Sequence, residues 1–186
     1  NQPKFVSQEA NALFLDGRVM RPRVEGTIAR GAMVEDMHNH MGVNKDEWAT
    51  SYPESLTVDR AFVERGQERY GIYCSLCHGH GGFGEGLIHQ RASLLVETGA
   101  NGTSWVAPKN LHDEAIRQQP IGQLFNTITN GVRTMSGYAS QIPVDDRWAI
   151  VAYVKALQFS QHADPATVPN ANKLPRVDAT NKGASE

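Results

Sequence analysis

The stretch Cys74-Ser75-Leu76-Cys77-His78 decides how this chain is read. It has the form C-x-x-C-H, the spacing at which a c-type haem is attached. Two thiols three positions apart lie close enough to form thioethers with the two vinyl groups of one porphyrin. The next residue, His78, then offers an imidazole nitrogen to the iron. Other uses of the pair fit less well. A structural zinc site wants three or four Cys and His ligands, and Cys74 and Cys77 are the only cysteines of the chain. A redox dithiol wants a βαβ setting, and no strand-rich pattern flanks Cys74. A disulfide between the two would close a very short loop and constrain little.

Working outward, a first helix is expected from Val58 to Tyr73, with Thr57 as N-cap and Asp59 in the first turn. Phe62, Gly66 and Tyr70 fall on one face of it, and the glycine lets another helix approach closely. The helix delivers the chain straight into Cys74. After His78, the run from Gly79 to Gly86 holds five glycines in eight residues and reads as a tight loop. It is a weak phosphate cradle, because no strand precedes it and no G-K-[ST] follows. A short helix is expected from Gly122 to Asn130, stopped by Asn130-Gly131 in the left-handed cap conformation. A last helix is expected from Val144 to Phe159, with Pro143 before it and Asp145 and Asp146 at the positive end of its dipole. Trp148, Val151 and Val154 form one apolar stripe on it, and Ile150, Tyr153 and Leu157 another. No strand pattern of any length is visible, so the fold class is mostly α.

An iron held by His78 on one side takes its chemistry from the other side. A thioether stabilises ferrous iron and raises the potential, whereas an open position admits peroxide or gas chemistry. Of the five methionines, only Met135 lies beyond the motif, in the loop from Asn130 to Tyr138 between two helices. Met135 is the expected second ligand, with His89 and His112 as the alternatives, against a packing role for the methionine. Trp105, Arg133, Tyr138 and Trp148 are candidates for the pocket, since Tyr and Trp pack on a ring and still hydrogen-bond a propionate. Trp148 reads equally well as core. The carbonyl of Pro108 is a candidate partner for the second nitrogen of His78.

The ends differ from the middle. Residues 1–54 are rich in Gly, Pro, Arg and Met and poor in periodicity, and read as an irregular, partner-binding extension. Residues 55–160 are the haem domain. Residues 161–186, with Pro165, Pro169 and Pro175, read as an irregular tail. Arg18, Arg21, Arg23 and Arg30 are expected to pair with acidic groups of a partner or with haem propionates. Met33, Met37 and Met41 with His38 and His40 raise a copper(I) site, against soft residues packing on a surface. The formal charge of −2 over 186 residues leaves no nucleic-acid footprint. No apolar run approaches about 18 residues, the length of a membrane span. Asn1-Gln2-Pro3-Lys4 opens without an apolar stretch, so the chain is read as mature, with any lipid-bearing cysteine lying before Asn1.

Residues 57–160 resemble a class I cytochrome c. The resemblance rests on the helix ending in CSLCH, the segment Pro108-Lys109-Asn110-Leu111, the methionine loop, and the closing run from Asp146 to Val154. It implies that the first and last helices cross nearly at right angles, with Gly66 and Tyr70 meeting Tyr153 and Val154. A narrower likeness reaches into the extension. The stretch from Asp16 to Gly31, with Ile128-Thr129-Asn130-Gly131 and Gln141-Ile142-Pro143, is similar to the mono-haem cytochrome subunit of alternative complex III. His38-Asn39-His40-Met41-Gly42 departs from that pattern, as does Ser136 after the expected ligand. The resemblance implies one covalent haem c and a place on the periplasmic face of the membrane. It implies partner subunits that include a multihaem cytochrome, and electrons passed to a soluble acceptor or an oxidase. No catalytic residue of its own is implied. A freely diffusing periplasmic carrier and a haem enzyme such as a peroxidase are the alternatives; the long irregular ends favour a fixed subunit.

Overall fold

The computed structural model describes residues 12–17, 24, 27, 36–99 and 105–168. The chain divides into two compact units, Asn1–Glu35 and Asp36–Glu186. In the first, backbone hydrogen bonds from Gly17 to the Phe14 carbonyl and from Thr27 to the Val24 carbonyl close two turns. The arginines Arg18, Arg21, Arg23 and Arg30, with Met20 and Met33, lie outside the described residues.

The second unit is built around two helices, α2 (Arg60–Tyr73) and α7 (Val144–His162). Asp59, not Thr57, caps α2: its carboxylate accepts from the Phe62 N–H at 2.9 Å. The reason is spacing, since an N-cap oxygen serves the amide three residues on. The two helices cross at Gly66, where a side chain would overlap the Ala149 carbonyl oxygen and crowd the Cβ of Tyr153. Only glycine admits this approach. Tyr70 and Tyr153 pack beside it with ring centroids 5.2 Å apart. An ion pair fastens the crossing: Asp146 takes Arg65 at 2.8 Å and lies 3.4 Å from Arg69. Asp146 therefore faces α2 as well as standing in the first turn of its own helix.

The helix α6 (Ile121–Asn130) lays Leu124, Phe125 and Ile128 against α7. Phe125 stacks on Trp148 at 4.2 Å and 16°. Residues 36–54, read from sequence as the end of an extension, carry α1 (Met37–Met41) and a hairpin of β1 (Val43–Asn44) and β2 (Glu47–Trp48). This segment packs on the core. The Trp148 N–H donates to the Asn39 carbonyl at 2.9 Å, and Tyr52 meets the Trp148 ring edge-on. The Gly122 N–H donates to the Ala49 carbonyl at 2.8 Å.

Shorter elements complete the unit: α3 (Ser75–His78), α4 (Leu87–Glu97), α5 (Glu114–Arg117) and the hairpin of β3 (Gly131–Val132) with β4 (Met135–Ser136). Gly131 ends α6 at φ 81° and ψ 173°, a positive-φ extended conformation and not the expected left-handed cap, because the chain turns directly into β3. The last helix runs three residues past the expected Phe159, and a 3₁₀ turn over Pro165–Thr167 follows it. Residues 169–186 of the tail lie outside the described residues.

Candidate haem site

The motif sits where α2 hands over to α3. Cys74 ends α2, and Cys77 and His78 lie in α3, so one turn of backbone presents two thiols and an imidazole. Both thiols are free and half-buried. Burial pushes the Cys74 thiol up to about 12, with Cys77 nearby adding to it.

His78 is oriented from behind. Its Nδ1 lies 3.2 Å from the Lys109 carbonyl oxygen. A carbonyl only accepts, so Nδ1 carries the proton and Nε2 keeps its lone pair for a metal. Burial lowers the imidazole pKa, and the Lys109 carbonyl works in the opposite direction. The neutral ring that a metal requires is thereby favoured. The expected partner was the Pro108 carbonyl. That oxygen instead faces Gly84, where an added Cβ would come within 2.6 Å of it. Gly84, at φ 86°, lets the glycine loop close on the 108–112 segment, whose next carbonyl, that of Lys109, meets the ring. The Leu111 N–H donates to the Gly82 carbonyl at 2.8 Å, and the Gln158 amide donates to the Leu111 carbonyl at 2.7 Å. The imidazole is thus held by a loop that is itself pinned to α7.

Tyr70 and Tyr73 on α2 also serve the motif. The Tyr70 hydroxyl donates to the Gly79 carbonyl at 2.8 Å, fixing the residue after His78. Tyr73 meets Tyr138 edge-on at 6.2 Å. Burial raises the Tyr138 phenol, and the neighbouring sulfurs of Cys74 and Cys77 raise it further. Tyr138 therefore stands against Tyr73 at the end of α2, three residues beyond Met135. Met135 is half-buried in β4, paired across the hairpin with Val132.

The other expected residues fall elsewhere. Arg133 is exposed at the hairpin tip with φ 51°. Trp148 belongs to the core: it is fully buried and its N–H is taken by Asn39, so it has no donor left for a propionate. His89 accepts the Trp105 N–H on Nδ1 at 2.7 Å, which leaves its proton on Nε2 and makes that nitrogen a poor ligand in this arrangement. His112 is buried with Nε2 donating to the Gly81 carbonyl at 2.7 Å, a role in the glycine loop. His38 gives its Nε2–H to the Ser51 carbonyl at 2.7 Å, while Met37 and Met41 are exposed. Sequence reasoning missed the Lys109 carbonyl and the Tyr70 hydroxyl. The segment Pro108-Lys109-Asn110-Leu111 carried the first signal, one residue out of register.

The donor set suits a c-type haem: two thiols outside any disulfide on one turn, a neutral imidazole whose Nε2 keeps its lone pair, and a thioether on the β3–β4 hairpin. The family model described as cytochrome C oxidase, cbb3-type, subunit III matches residues 61–154. That span holds the motif, Met135 and more than half of α7. No curated protein matches the chain. Six solved chains do. One belongs to the reducing HAO-like protein complex of Kuenenia stuttgartiensis, at 19% identity and a TM-score of 0.44, covering 55% of this chain and 46% of that one. The present chain thus spans less than half the length of that relative.

Proposed function

The chain belongs to the c-type cytochrome family described as cytochrome C oxidase, cbb3-type, subunit III, and on that premise we propose that Cys74, Cys77 and His78 hold one covalent haem c with Met135 as the second iron ligand. It is an electron-transfer haem protein. The single observation that carries the ligand assignment is the contact between His78 Nδ1 and the Lys109 carbonyl, which leaves Nε2 as the ligating atom. The haem, when bound, supplies the one-electron couple of its iron. The chain's own residues orient and bury it. Lys109 fixes the imidazole tautomer, Tyr70 fixes the backbone after it, and Tyr138 packs on Tyr73, the residue before Cys74. The Met135 thioether favours the ferrous state and raises the potential. Intact mass checks the covalent attachment. The wild type should carry the mass of one haem, and the double variant Cys74→Ser, Cys77→Ser should carry none.

We further infer that this cytochrome is a fixed subunit of a membrane quinol-oxidising assembly of the alternative complex III type, on the periplasmic face. It would take electrons from a neighbouring multihaem cytochrome and pass them to a soluble carrier or a terminal oxidase. The likeness of residues 16–31 to that subunit supports this reading. Partner binding is assigned to the part of the extension before Asp36, because residues 36–54 are spent on the core. No helix among the described residues is long and apolar enough to cross a membrane. Attachment through partner subunits or a lipid is part of the proposal. Membranes washed without detergent should retain the protein. Complete release by gentle washing would point to the diffusing carrier instead.

A further inference from the structure

Among the described residues, no carboxylate pairs with the buried cation Arg147. The residue is 5% exposed. Its guanidinium lies over the Phe125 ring, 5.0 Å from the centroid, and one terminal nitrogen donates to the Thr129 hydroxyl. Its Nε is shielded from solvent and has no acceptor. The nearest acids along the chain are spent or turned away. Asp146 is held by Arg65 and Arg69, and Asp145 is exposed. Burial lowers the guanidinium pKa and no anion raises it back. Arginine stays charged regardless, so among the described residues the charge has no counter-ion, an unfavourable state for a desolvated ion.

A cavity of about 290 Å³ lies against it, lined by residues 139–144 and Arg147. None of those residues is acidic. The cavity opens at the start of α7, a helix of 19 residues with Pro143 at its N-cap and no side-chain cap. The N–H groups of Val144, Asp145 and Asp146 have no partner within the helix, and the helix dipole puts positive charge there. Of these three residues Val144 lines the cavity, so a buried cation and the first amide of the helix share one concave surface.

We propose that this cavity is a binding site for a small carboxylate, with Arg147 supplying the charge and the Val144 amide a hydrogen bond. Its volume is about ten times a water's share of the liquid, room for a carboxylate with a few carbons. A free organic acid and an Asp or Glu side chain of a partner protein carry the same group. The cavity begins at Ala139, the residue after Tyr138, so its occupant would sit between the methionine loop and the start of α7. This inference does not rest on the ligand assignment above, because haem content is read separately from the absorption spectrum.

Thermal melting of the haem-loaded protein tests it. Sodium acetate, against sodium chloride at equal ionic strength, should raise Tm with a saturating concentration dependence, on the order of a few degrees. Arg147→Gln should abolish the difference. Should that variant fail to fold, Ser140→Asp keeps the test alive. It places a carboxylate at the cavity rim, and should raise Tm without acetate and remove the acetate response. The peptide acetyl-Gly-Glu-Gly-amide separates the sources. Binding tighter than acetate supports a partner side chain, and binding equal or weaker supports a free acid. Equal melting in acetate and chloride would overturn the proposal, as would an acetate effect that survives in Arg147→Gln or Ser140→Asp.

Discussion

The phenol of Tyr70 is 2% exposed, and its hydroxyl reaches the Gly79 carbonyl behind the motif. Burial raises its pKa above the ordinary value of 10, with Cys74 and Tyr153 adding to the shift. A group raised in this way contributes stability that is complete below the ordinary value. That stability is lost as pH climbs above about 10, because the unfolded chain gives up its proton first. Tyr70→Phe should therefore lower stability by about 1 kcal/mol at neutral pH, the worth of one hydrogen bond. It should also flatten the fall in stability above pH 10, while Tyr52 and Tyr138, raised in the same sense, keep the rest of the slope. Denaturant melts at a series of pH values measure both effects. At this scale the sequence is eloquent about covalent chemistry and quiet about hydrogen bonds. Cys74, Cys77 and His78 declare themselves through spacing. The Lys109 carbonyl does not, because a backbone oxygen has no residue type, and its direction follows from how Gly84 lets two loops close.

The crossing of α2 and α7 is the element on which the site depends, since α2 ends at Cys74 and α7 holds the 108–112 segment through Gln158. Gly66→Ala puts a Cβ into the Ala149 carbonyl, where backbone, not a flexible side chain, must move. The expected loss is about 3 kcal/mol or more, beyond the usual range for overpacking, because nothing nearby can give way cheaply. Denaturant unfolding of the variant against the wild type checks it. Helices α2, α6 and α7 are legible because each carries apolar residues at helical spacing. The helix α4 is not. It buries no residue, and its N-cap Gly86 makes no side-chain cap, so neither a stripe nor a start signal marks it. The hairpin of β1 and β2 is equally silent. It turns through Lys45 and Asp46, both at positive φ, with none of the Asn-Gly chemistry that announces such a turn.

At the scale of the whole molecule, the boundary between extension and domain is where pattern and packing part. Residues 36–54 lack periodicity, yet Ala49 and Pro53 are buried and Asn39 takes the indole N–H of Trp148. An irregular segment enters a core through single anchors, which no window of sequence reveals. The same anchor takes the indole N–H of Trp148 inside the core. What remains is a domain whose two long helices and glycine loop converge on one turn of backbone, with the Met135 hairpin tied in through Tyr138. The ferric protein's visible spectrum tests this account most directly. With His78 and Met135 both on the iron, the wild type should be low-spin and show the weak red charge-transfer band of thioether ligation. Met135→Ala should lose that band and move toward high spin. A wild type without the band, or a band that persists in Met135→Ala, would contradict it.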